Sequence, residues 1–534
     1  MDVDRDEAQR RITEGRTALG IELGSTRIKA VLIGDDHEPL AVGSHSWENQ
    51  FVDRLWTYSL DSVWAGVAEC YAALASDVQQ RYGAQLTTVG ALGVSAMMHG
   101  YLAFDADGEL LTPFRTWRNT NTSGAVEQLS ARLDYNIPHR WSVAHLFQAI
   151  LDNEEHVDNI AHLTTLAGYV HWQLTGERVL GVGDASGMFP IDALTGGYSE
   201  SMLTTFDAMV AENQRTMRLA DLLPIIRRAG DPAGSLTDAG ALRLDPTGTL
   251  QSGIPLCPPE GDAGTGMVAT NSVAPRTGNV SAGTSIFAMV VLEHELGRVH
   301  HELDLVTTPA GDPVAMAHCN NGASELNAWA GLFAEFAAAL GTQVDSSTVF
   351  ETLFRSALDG APDCGGLMAF NYLSGEPITG LDEGRPLFLR TPDSTFDLPT
   401  FMRTHLYASL ATLRLGMDVL QKDEGVQLDA IFAHGGLFTT KGVAQRFLAA
   451  ALGTPVSVGA TASEGGPWGM AVLAAFLIRR APDQSLADYL AASVFAEAEV
   501  VSVQPDPTDV AGFDAFIERY VKALPVQRQA VEST

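Results

Sequence analysis

The stretch TALGIELGSTRIKAVLIG, residues 17–34, holds two short apolar runs on either side of a Gly-Ser-Thr trio at positions 24–26. Apolar runs of this length around a glycine-containing turn predict two strands, Ala18–Leu23 and Ile28–Ile33, joined as a β-hairpin. The first strand also carries a carboxylate, Glu22, near its end. A charged group and two hydroxyls at the turn of a hairpin indicate that the turn binds a ligand.

The hairpin pattern recurs later in the chain. A shift of 259 residues places GIELGSTRIKAVL, which starts at Gly20, on NVSAGTSIFAMVV, which starts at Asn279. The residues that coincide are the two turn trios, Gly24, Ser25 and Thr26 with Gly283, Thr284 and Ser285. A match this short leaves both an internal duplication and a chance similarity open.

Both turns carry groups that suit phosphate. Glycine lets the backbone approach a ligand closely, and consecutive turn N–H groups with nearby hydroxyls form a nest for phosphate oxygens. Two such nests that face each other would grip one polyphosphate. Glu22 would be repelled by that phosphate unless a hard cation lay between them, which predicts Mg²⁺. A solvated carboxylate near a strand end is the alternative interpretation.

Composition limits the class of protein. A chain of 534 residues with 46% hydrophobic residues is long enough for two or more domains with their own cores. Its longest apolar run, Met470–Ile478, is far shorter than the roughly 20 residues that span a bilayer, and residues 1–16 are polar and charged. We therefore expect neither membrane insertion nor export.

Charge and cysteine content exclude further classes. The formal net charge of −32 would repel the phosphate backbone of nucleic acid. The four cysteines lie far apart without paired spacing, which is typical of reduced thiols in a cytoplasmic protein.

Strand and helix patterns alternate along the chain, which predicts an α/β fold. A third strand is predicted over Glu38–Ser44, a helix from Leu60 and a further strand over Thr88–Val94. Two later helices carry apolar stripes that we interpret as core. The stripes consist of Trp329, Leu332, Phe333, Phe336 and Leu340, and of Leu406, Leu410, Leu413, Met417 and Leu420.

The stretch PPEGDAGTGMVAT supports two interpretations. Gly264–Ala269 matches the G-x-G-x-x-A dinucleotide fingerprint, so a nicotinamide or flavin enzyme is one hypothesis. Two observations argue against this hypothesis. Prolines interrupt the segment before the first glycine, where the fingerprint needs a strand, and the next acid after Asp262 is Glu293, which is too distant to hold a ribose. Asp262 itself stands at the start of a predicted helix, where a carboxylate can cap the helix, act as a general base, or do both.

A later stretch, LDAIFAHGGLFTTKGVAQRFLAAALGTPVSV, predicts a strand, a tight turn at Gly435 and Gly436, a helix and a second strand. Paired glycines at the carboxyl end of a strand leave a flat surface beside a helix N-terminus, which suits a purine ring or a phosphate. The sequence contains no G-x-x-x-x-G-K-[ST] motif, which argues against a P-loop enzyme.

Taken in order, the first hairpin, SAMMHGYLAFD, GDAGTG, SAGTS, HGGLFTTKGVAQ and SEGGPWGMAVLAA resemble the FGGY carbohydrate kinases, and especially their xylulokinase-like branch. The resemblance extends from about Ala18 to about Arg480. It implies two duplicated actin-like domains of the ribonuclease H type around a central cleft. It also implies transfer of the γ-phosphate of MgATP to a terminal hydroxyl of a ketose such as xylulose.

The same resemblance implies residue roles. Asp262 matches the catalytic base and a magnesium neighbour, and Glu22 stands where the family usually has a metal-proximal Asp. The residues implied to bind ATP are Gly24, Ser25, Thr26, Lys29, Gly283, Thr284, Ser285, Gly435, Gly436, Thr440 and Gln445. Glu464 and Gly469 match a small-residue helix that closes the nucleotide pocket. The residues implied to line the sugar site are Met98, His99, Gly100, Trp117 and Asn119, together with Asp262.

Two departures from the family pattern leave the sugar open. The chain has Trp117-Arg118-Asn119-Thr120-Asn121 where xylulokinase-like sequences usually have W-N-D-x-R, so an acid and a base become amides. Glu22 is also longer than Asp by one methylene. Alternative substrates are ribulose, rhamnulose, a ketohexose or a polyol, and a non-catalytic actin-like binder of nucleotide and sugar is a further hypothesis.

Domain boundaries follow from the resemblance. We predict a flexible leader over residues 1–16, an N-terminal domain over 17–271, a C-terminal domain over 272–482, and an extension over 483–534 that packs on the second domain. The expected partner is a small sugar. The sequence leaves the oligomeric state open, a homodimer included.

Overall fold

The computed structural model describes residues 5–459, 465–498 and 500–534. Glu464, predicted to close the nucleotide pocket, lies outside these residues. Twenty strands are found within the described ranges: β1 Ala18–Leu23, β2 Arg27–Ile33, β3 Pro39–Ser46, β4 Gln50–Val52, β5 Leu55–Thr57, β6 Ala91–Ala96, β7 Leu102–Phe104, β8 His162–Thr164, β9 Val179–Gly181, β10 Ile225–Arg227, β11 Glu260–Gly261, β12 Thr277–Ala282, β13 Ile286–Val291, β14 Leu303–Thr307, β15 Pro313–Cys319, β16 Leu367–Phe370, β17 Leu387–Arg390, β18 Ala430–His434, β19 Val456–Gly459 and β20 Val500–Val503.

The same ranges contain seventeen α-helices: α1 Arg5–Thr13, α2 Leu60–Tyr82, α3 Ser123–Leu133, α4 Ser142–Leu151, α5 Leu166–Thr175, α6 Val182–Ala185, α7 Glu200–Glu212, α8 Leu219–Leu222, α9 Asp238–Leu244, α10 Asp262–Ala269, α11 Ser324–Ala339, α12 Ser346–Ser356, α13 Leu398–Asp418, α14 Val443–Leu452, α15 Gly465–Arg479, α16 Leu486–Tyr489 and α17 Pro507–Ser533. The alternation of strand and helix confirms the predicted α/β class.

The chain divides into two compact units. The first comprises Met1–Val273, Leu305–Val314 and Ser463–Glu497, and the second comprises Ala274–Asp304, Ala315–Ala462 and Ala498–Thr534. Helix α15 thus groups with the first unit, whereas the predicted boundary at residue 482 assigned it to the second domain. Small residues explain the grouping: a Cβ on Gly20 of β1 would lie 2.1 Å from the carbonyl oxygen of Pro467 in α15.

The two units share the order of five strands, to which the second sheet adds β14 and β20. In the first unit the sheet runs β11-β6-β1-β2-β3, where β1 pairs antiparallel with β2 and parallel with β6. In the second unit the sheet runs β14-β15-β13-β12-β18-β19-β20, where β12 pairs antiparallel with β13 and parallel with β18. The first strand of each hairpin predicted from the repeated motif therefore has the same neighbours, one antiparallel and one parallel. This shared topology favours an internal duplication over a chance similarity.

Helices cover both faces of the first sheet. Gly43 of β3 approaches α2 so closely that a Cβ there would lie 2.3 Å from the carbonyl oxygen of Cys70. Gly43 lies in register with Ile21 of β1, through Ala30 of β2. Gly20, the residue before Ile21, faces α15 instead. Because successive strand residues face opposite sides, α2 and α15 enclose the sheet between them.

The predicted core stripe of α13 is correct, and that of α11 is correct in part. Leu406, Leu410 and Leu413 of α13 are at most 1% exposed, and most of that helix is buried on every side. On α11, in contrast, Phe336 is 62% and Leu340 70% exposed. The stripe prediction is correct for Trp329 and Phe333, whose rings pack against Phe401 of α13, and wrong for Phe336 and Leu340, which lie beyond that contact at the end of the helix.

The predicted flexible leader is also incorrect for residues 5–16. Residues Arg5–Thr13 form α1, which buries Ala8 and Ile12, four positions apart on one helix face. Arg11 and Arg16 bind Asp35 at 2.9 Å and 2.7 Å. An apolar stripe and ion pairs to the next hairpin are enough to order the segment.

Two further expectations concern cysteines and membranes. All four cysteines are unpaired and buried, as their spacing predicted. Within the described residues, every helix is too short or too polar to cross a bilayer.

Candidate active site

The first hairpin places its turn where the sequence predicts it. Strands β1 and β2 pair with Leu23 opposite Ile28 and Glu22 opposite Lys29. The Gly24 N–H donates to the carbonyl oxygen of Arg27 at 3.1 Å and closes the turn. Ser25 and Thr26 are left between the strands, at least partly open to solvent.

Carboxylates gather at the carboxyl ends of three parallel strands. Glu22 of β1 lies beside Ser95 of β6, and Ser95 lies beside Glu260 of β11. Asp262 follows β11 directly and begins α10, whose N-terminal cap is Gly261. Since the carboxyl ends of parallel strands meet at one sheet edge, the topology brings Glu22 and Asp262 to the same edge.

Asp262 contacts the predicted sugar motif. Its Oδ1 accepts a hydrogen bond from the N–H of Met98 at 3.1 Å. Solvent reaches the Asp262 side chain, but the protein atoms crowded around the carboxyl still raise its pKa through desolvation. Asp262 is not the helix cap that the sequence allowed; it is the first helical residue, with its carboxylate turned to Met98.

Glu22 is neither fully solvated nor fully paired. Burial raises the pKa of its carboxyl to about 8, the nearby charge of Asp262 adds to the rise, and Lys29 opposes it. Its Oε2 is buried without a hydrogen-bond partner among the described residues. Glu22 is therefore only partly exposed, with one carboxylate oxygen enclosed by protein atoms.

A glycine makes room for this carboxylate. A Cβ on Gly466, in the first turn of α15, would lie 1.5 Å from Glu22 Oε2. Within the described ranges no three His, Cys, Asp or Glu side chains converge as metal ligands. Mg²⁺ nevertheless needs only one or two carboxylates, because it takes its other ligands from water and phosphate. The unpartnered oxygen of Glu22, close to the charge of Asp262, fits that requirement.

Two buried carboxyls behind Asp262 were missed by the sequence analysis. The N–H of Asp184 donates to Glu260 Oε2 at 3.0 Å, and the hydroxyl of Thr165 donates to Asp184 Oδ2 at 2.6 Å. Burial raises the pKa of Asp184 to about 7 and that of Glu260 well above its usual range. The available signal was an acid inside the apolar run VLGVGDASGMF.

The Met98-His99-Gly100 element is buried and conformationally constrained. His99 adopts a positive φ of 71°, a backbone conformation that is energetically unfavourable for residues other than glycine. Its Nδ1 lies 3.3 Å from the carbonyl oxygen of Gly187, and its ring stacks near Trp141. A contact between this element and a sugar stays a prediction.

The segment that departs from the family pattern has a structural role here. Trp117 is 38% exposed, whereas Asn119 is 4% exposed. The Asn119 amide accepts from the N–H of Trp56 at 2.9 Å and donates to the carbonyl oxygens of Trp56 and Thr116 at 2.8 Å and 3.0 Å. Both of its donors are therefore used by the backbone, and the predicted sugar contact of Asn119 stays a prediction.

In the second unit, the other turn lies beside the start of a helix. The N–H groups of Gly322 and Ala323 donate to the carbonyl oxygens of Thr284 and Gly283, both at 2.8 Å. Helix α11 begins at the next residue, Ser324. The second predicted phosphate turn thus adjoins a helix N-terminus, which favours anions.

The paired glycines lie next to that turn. Gly435 has a φ of 105°, and a Cβ there would lie 2.4 Å from the carbonyl oxygen of Ala282, the last residue of β12. Gly436 is open, with no atom within 4 Å of a Cβ position, and Thr440 is partly buried. The predicted adenosine motif and the second phosphate turn therefore share one region of the second unit.

Other predicted nucleotide residues are used for packing. Gln445 Nε2 donates to the carbonyl oxygens of Val456 and Val501 at 2.8 Å and 2.7 Å, so this side chain joins α14 to two strands. Gly469 packs on Thr265 within the first unit. Their contact with a nucleotide stays a prediction.

The dinucleotide interpretation of Gly264–Ala269 is wrong. These residues lie inside α10, after a strand of only two residues. Their glycines consequently do not form the strand-to-helix turn that would hold a pyrophosphate.

Comparison with known proteins identifies a family whose models match most of the chain. The model of the N-terminal domain of the FGGY family of carbohydrate kinases matches residues 17–267, and that of the C-terminal domain matches residues 278–478. The xylulose kinase of Escherichia coli (strain K12) is 22% identical over 287 residues, which cover 52% of this chain and 55% of that protein. The chain thus spans about half the length of the curated relatives it matches.

Solved structures agree over nearly the whole chain. A xyloylose kinase from Brucella ovis has a TM-score of 0.77 at 18% identity and covers 96% of this chain and 99% of its own. A gluconate kinase from Lactobacillus acidophilus has a TM-score of 0.77 at 16% identity, with 96% and 98% covered. These likenesses confirm the predicted fold of duplicated actin-like domains.

Proposed function

Because the chain belongs to the FGGY family of carbohydrate kinases, we propose that it transfers the γ-phosphate of ATP to a terminal hydroxyl of a ketose such as xylulose. The general base in this proposal is Asp262. The observation that carries it is the position of this carboxylate on the first turn of α10, bonded to Met98 of the sugar motif. A positioned carboxylate with a raised pKa suits proton abstraction from a hydroxyl.

The remaining residues would place and neutralise the nucleotide. Phosphoryl transfer passes through a loose transition state, so positioning and charge stabilisation supply most of the rate. The turns at Gly24–Thr26 and Gly283–Ser285 offer backbone N–H groups and hydroxyls for phosphate oxygens. Glu22 and Asp262 would hold Mg²⁺, which supplies neutralising charge to the transferring phosphoryl group when bound.

The sugar is the least defined part of the proposal. Matching proteins are named as xylulose, gluconate and glycerol kinases. Trp117 is 38% exposed and is the aromatic residue among the four exposed positions of the altered segment, and we propose that it faces the sugar. Ribulose, rhamnulose, a ketohexose or a polyol are the alternative substrates, and a non-catalytic binder of nucleotide and sugar is the alternative function.

The test is a coupled assay of ADP release with MgATP and a panel of ketopentoses, ketohexoses and polyols. We expect ADP release that depends on one of these sugars. Asp262→Asn should lower that turnover by about 10² to 10⁴, the usual contribution of a general base, and should leave the binding of ATP measured without Mg²⁺ intact. Asp107→Asn, at an exposed loop position, is the matched control.

The outcomes separate the hypotheses. ATP binding without release of ADP with any sugar would favour the non-catalytic binder. Sugar-dependent turnover that survives Asp262→Asn unchanged would remove Asp262 as the base while keeping the kinase.

A further inference from the structure

Two aromatic side chains hold the turn of the first hairpin. Trp47 and Tyr58 stack with ring centroids 4.2 Å apart and planes inclined by 26°. Trp47 Nε1 donates to the carbonyl oxygen of Gly24 at 2.7 Å, and the Tyr58 hydroxyl donates to that of Ser25 at 2.6 Å. The backbone N–H of Trp47 also donates to the carbonyl oxygen of Thr26 at 3.2 Å. We call Trp47 and Tyr58 the aromatic clamp.

The clamp determines where the turn N–H groups point. In a trans peptide the C=O and the following N–H point in opposite directions, and the described peptide bonds of this chain are all trans. Since the carbonyls of Gly24 and Ser25 point at the clamp, the N–H groups of Ser25 and Thr26 point away from it. The side of the turn opposite the clamp consequently presents donors, which phosphate oxygens require.

We propose that Trp47 and Tyr58 are positioning residues that aim the N–H groups of Ser25 and Thr26 at the phosphates of the nucleotide. This inference rests on the proposed function. A carbonyl that rotated toward the ligand would set its partial negative charge against phosphate oxygens and remove an N–H donor. The clamp prevents that rotation by satisfying every carbonyl of the turn.

The clamp is itself built on rigid structure. Trp47 follows β3, which pairs with the second strand of the hairpin, so it lies beside the turn by register. Trp47 and Tyr58 are only 8% and 2% exposed. Asn119 binds both backbone groups of Trp56, two residues before Tyr58. The segment in which amides replace the family's acid and base thus supports the phosphate turn.

The Tyr58 hydroxyl stays a donor across the physiological range. Burial raises its pKa to about 12, and the guanidinium of Arg118 only partly opposes the rise. A phenol that kept this geometry but lost its proton would accept rather than donate, so protonation maintains the contact with Ser25.

The test compares Tyr58→Phe with Tyr82→Phe. Both variants remove a buried hydroxyl that donates to a backbone carbonyl, since the Tyr82 hydroxyl donates to Leu40 at 2.8 Å and lies away from the turn. In Tyr58→Phe the KM for ATP should rise about three- to tenfold, the effect of one lost hydrogen bond, while the KM for the sugar is unchanged. Inhibition by adenosine, which has no phosphate, should also be unchanged.

Trp47→Phe is the second variant, because it keeps an aromatic ring and removes the Nε1 donor to Gly24. It should show the same selective loss of ATP affinity. Two results would show that the clamp has no role in phosphate positioning. One is a KM for ATP in Tyr58→Phe and Trp47→Phe equal to that of Tyr82→Phe, and the other is an equal loss of affinity for ATP and for adenosine. A wild-type protein that bound no ATP would instead overturn the proposed function, and this inference with it.

Discussion

At the scale of single residues, the protein atoms around each carboxylate shift its pKa. Glu22, Asp184, Glu260 and Asp262 all have a raised pKa, and desolvation is the largest cause in each case. The second unit has a comparable residue, Glu376. Sequence patterns show that a carboxylate is present but not how many protein atoms surround it, so they could not predict which acids hold protons near neutral pH.

Glu376 allows this effect to be measured away from the active site. Its side chain is fully buried, Oε2 accepts from the Asn321 amide at 3.1 Å, and burial raises its pKa to about 7. An acid whose pKa is higher in the folded than in the unfolded state stabilises the fold at low pH, and that stability is lost as the pH rises through the folded pKa. We therefore expect the contribution of Glu376 to the free energy of unfolding to fall between about pH 5 and pH 8.

Glu376→Gln should reduce this pH dependence, by on the order of 2 kcal/mol, because glutamine stays neutral and still accepts from Asn321. Urea unfolding of both proteins at pH 5.5 and pH 8 and constant ionic strength measures the difference. Glu351→Gln, on the exposed side of α12, is the control. An identical pH dependence in wild type and Glu376→Gln would show that Glu376 ionises normally.

At the scale of elements, glycines set how closely helices approach the first sheet. A Cβ on Gly469 of α15 would lie 2.2 Å from the carbonyl oxygen of Thr265 in α10. Helix α15 therefore lies directly against the helix that begins with Asp262. The sequence analysis identified the small-residue helix, but an apolar pattern of nine residues did not indicate which sheet it covers.

Gly469→Ala should destabilise the first unit, by about 1 to 3 kcal/mol, because the added methyl meets backbone rather than a movable side chain. Gly331→Ala, in α11, is the matched control: it also lies within a helix, but nothing lies within 4 Å of its Cβ position. That control should stabilise the protein by up to about 1 kcal/mol through helix propensity. Chemical denaturation measures both, and equal effects would contradict the close packing of α15 and α10.

At the scale of the whole molecule, charge opposes the proposed ligand. The net charge of −32 repels ATP at long range, while turn N–H groups and helix N-termini attract its phosphates only locally. The strand order common to both units supplies two such turns, one per sheet. Long-range repulsion and short-range attraction should respond differently to salt.

We expect ATP, measured without Mg²⁺, to bind more tightly as salt is raised from about 0.01 M to about 0.1 M, because the screening length falls from about 30 Å to about 10 Å. Adenosine, which is uncharged, should bind equally well at both concentrations. Titration calorimetry with the two ligands measures the effect. Weaker ATP binding at the higher salt would mean that local attraction outweighs the field of the whole chain.

Much of the fold followed from local patterns. The turn of each hairpin, the strand and helix around Gly435, and the start of α10 at Asp262 all lie where turn residues and periodicity predict them. The exposed face of α11 did not follow, because Phe336 and Leu340 continue an apolar stripe whichever way the helix faces. Asn119 differed from expectation for a similar reason: an amide can bind a sugar or the backbone equally well.

The sequence by itself predicted the two hairpins, the α/β class and the family, because each is carried by residue types within short motifs. Only the tertiary structure decided that Glu22 packs against Gly466, that Asp184 and Glu260 lie behind Asp262, and that Trp47 and Tyr58 hold the first turn. These contacts join residues up to several hundred positions apart. Periodicity describes one element at a time, so it carries no information about which elements meet.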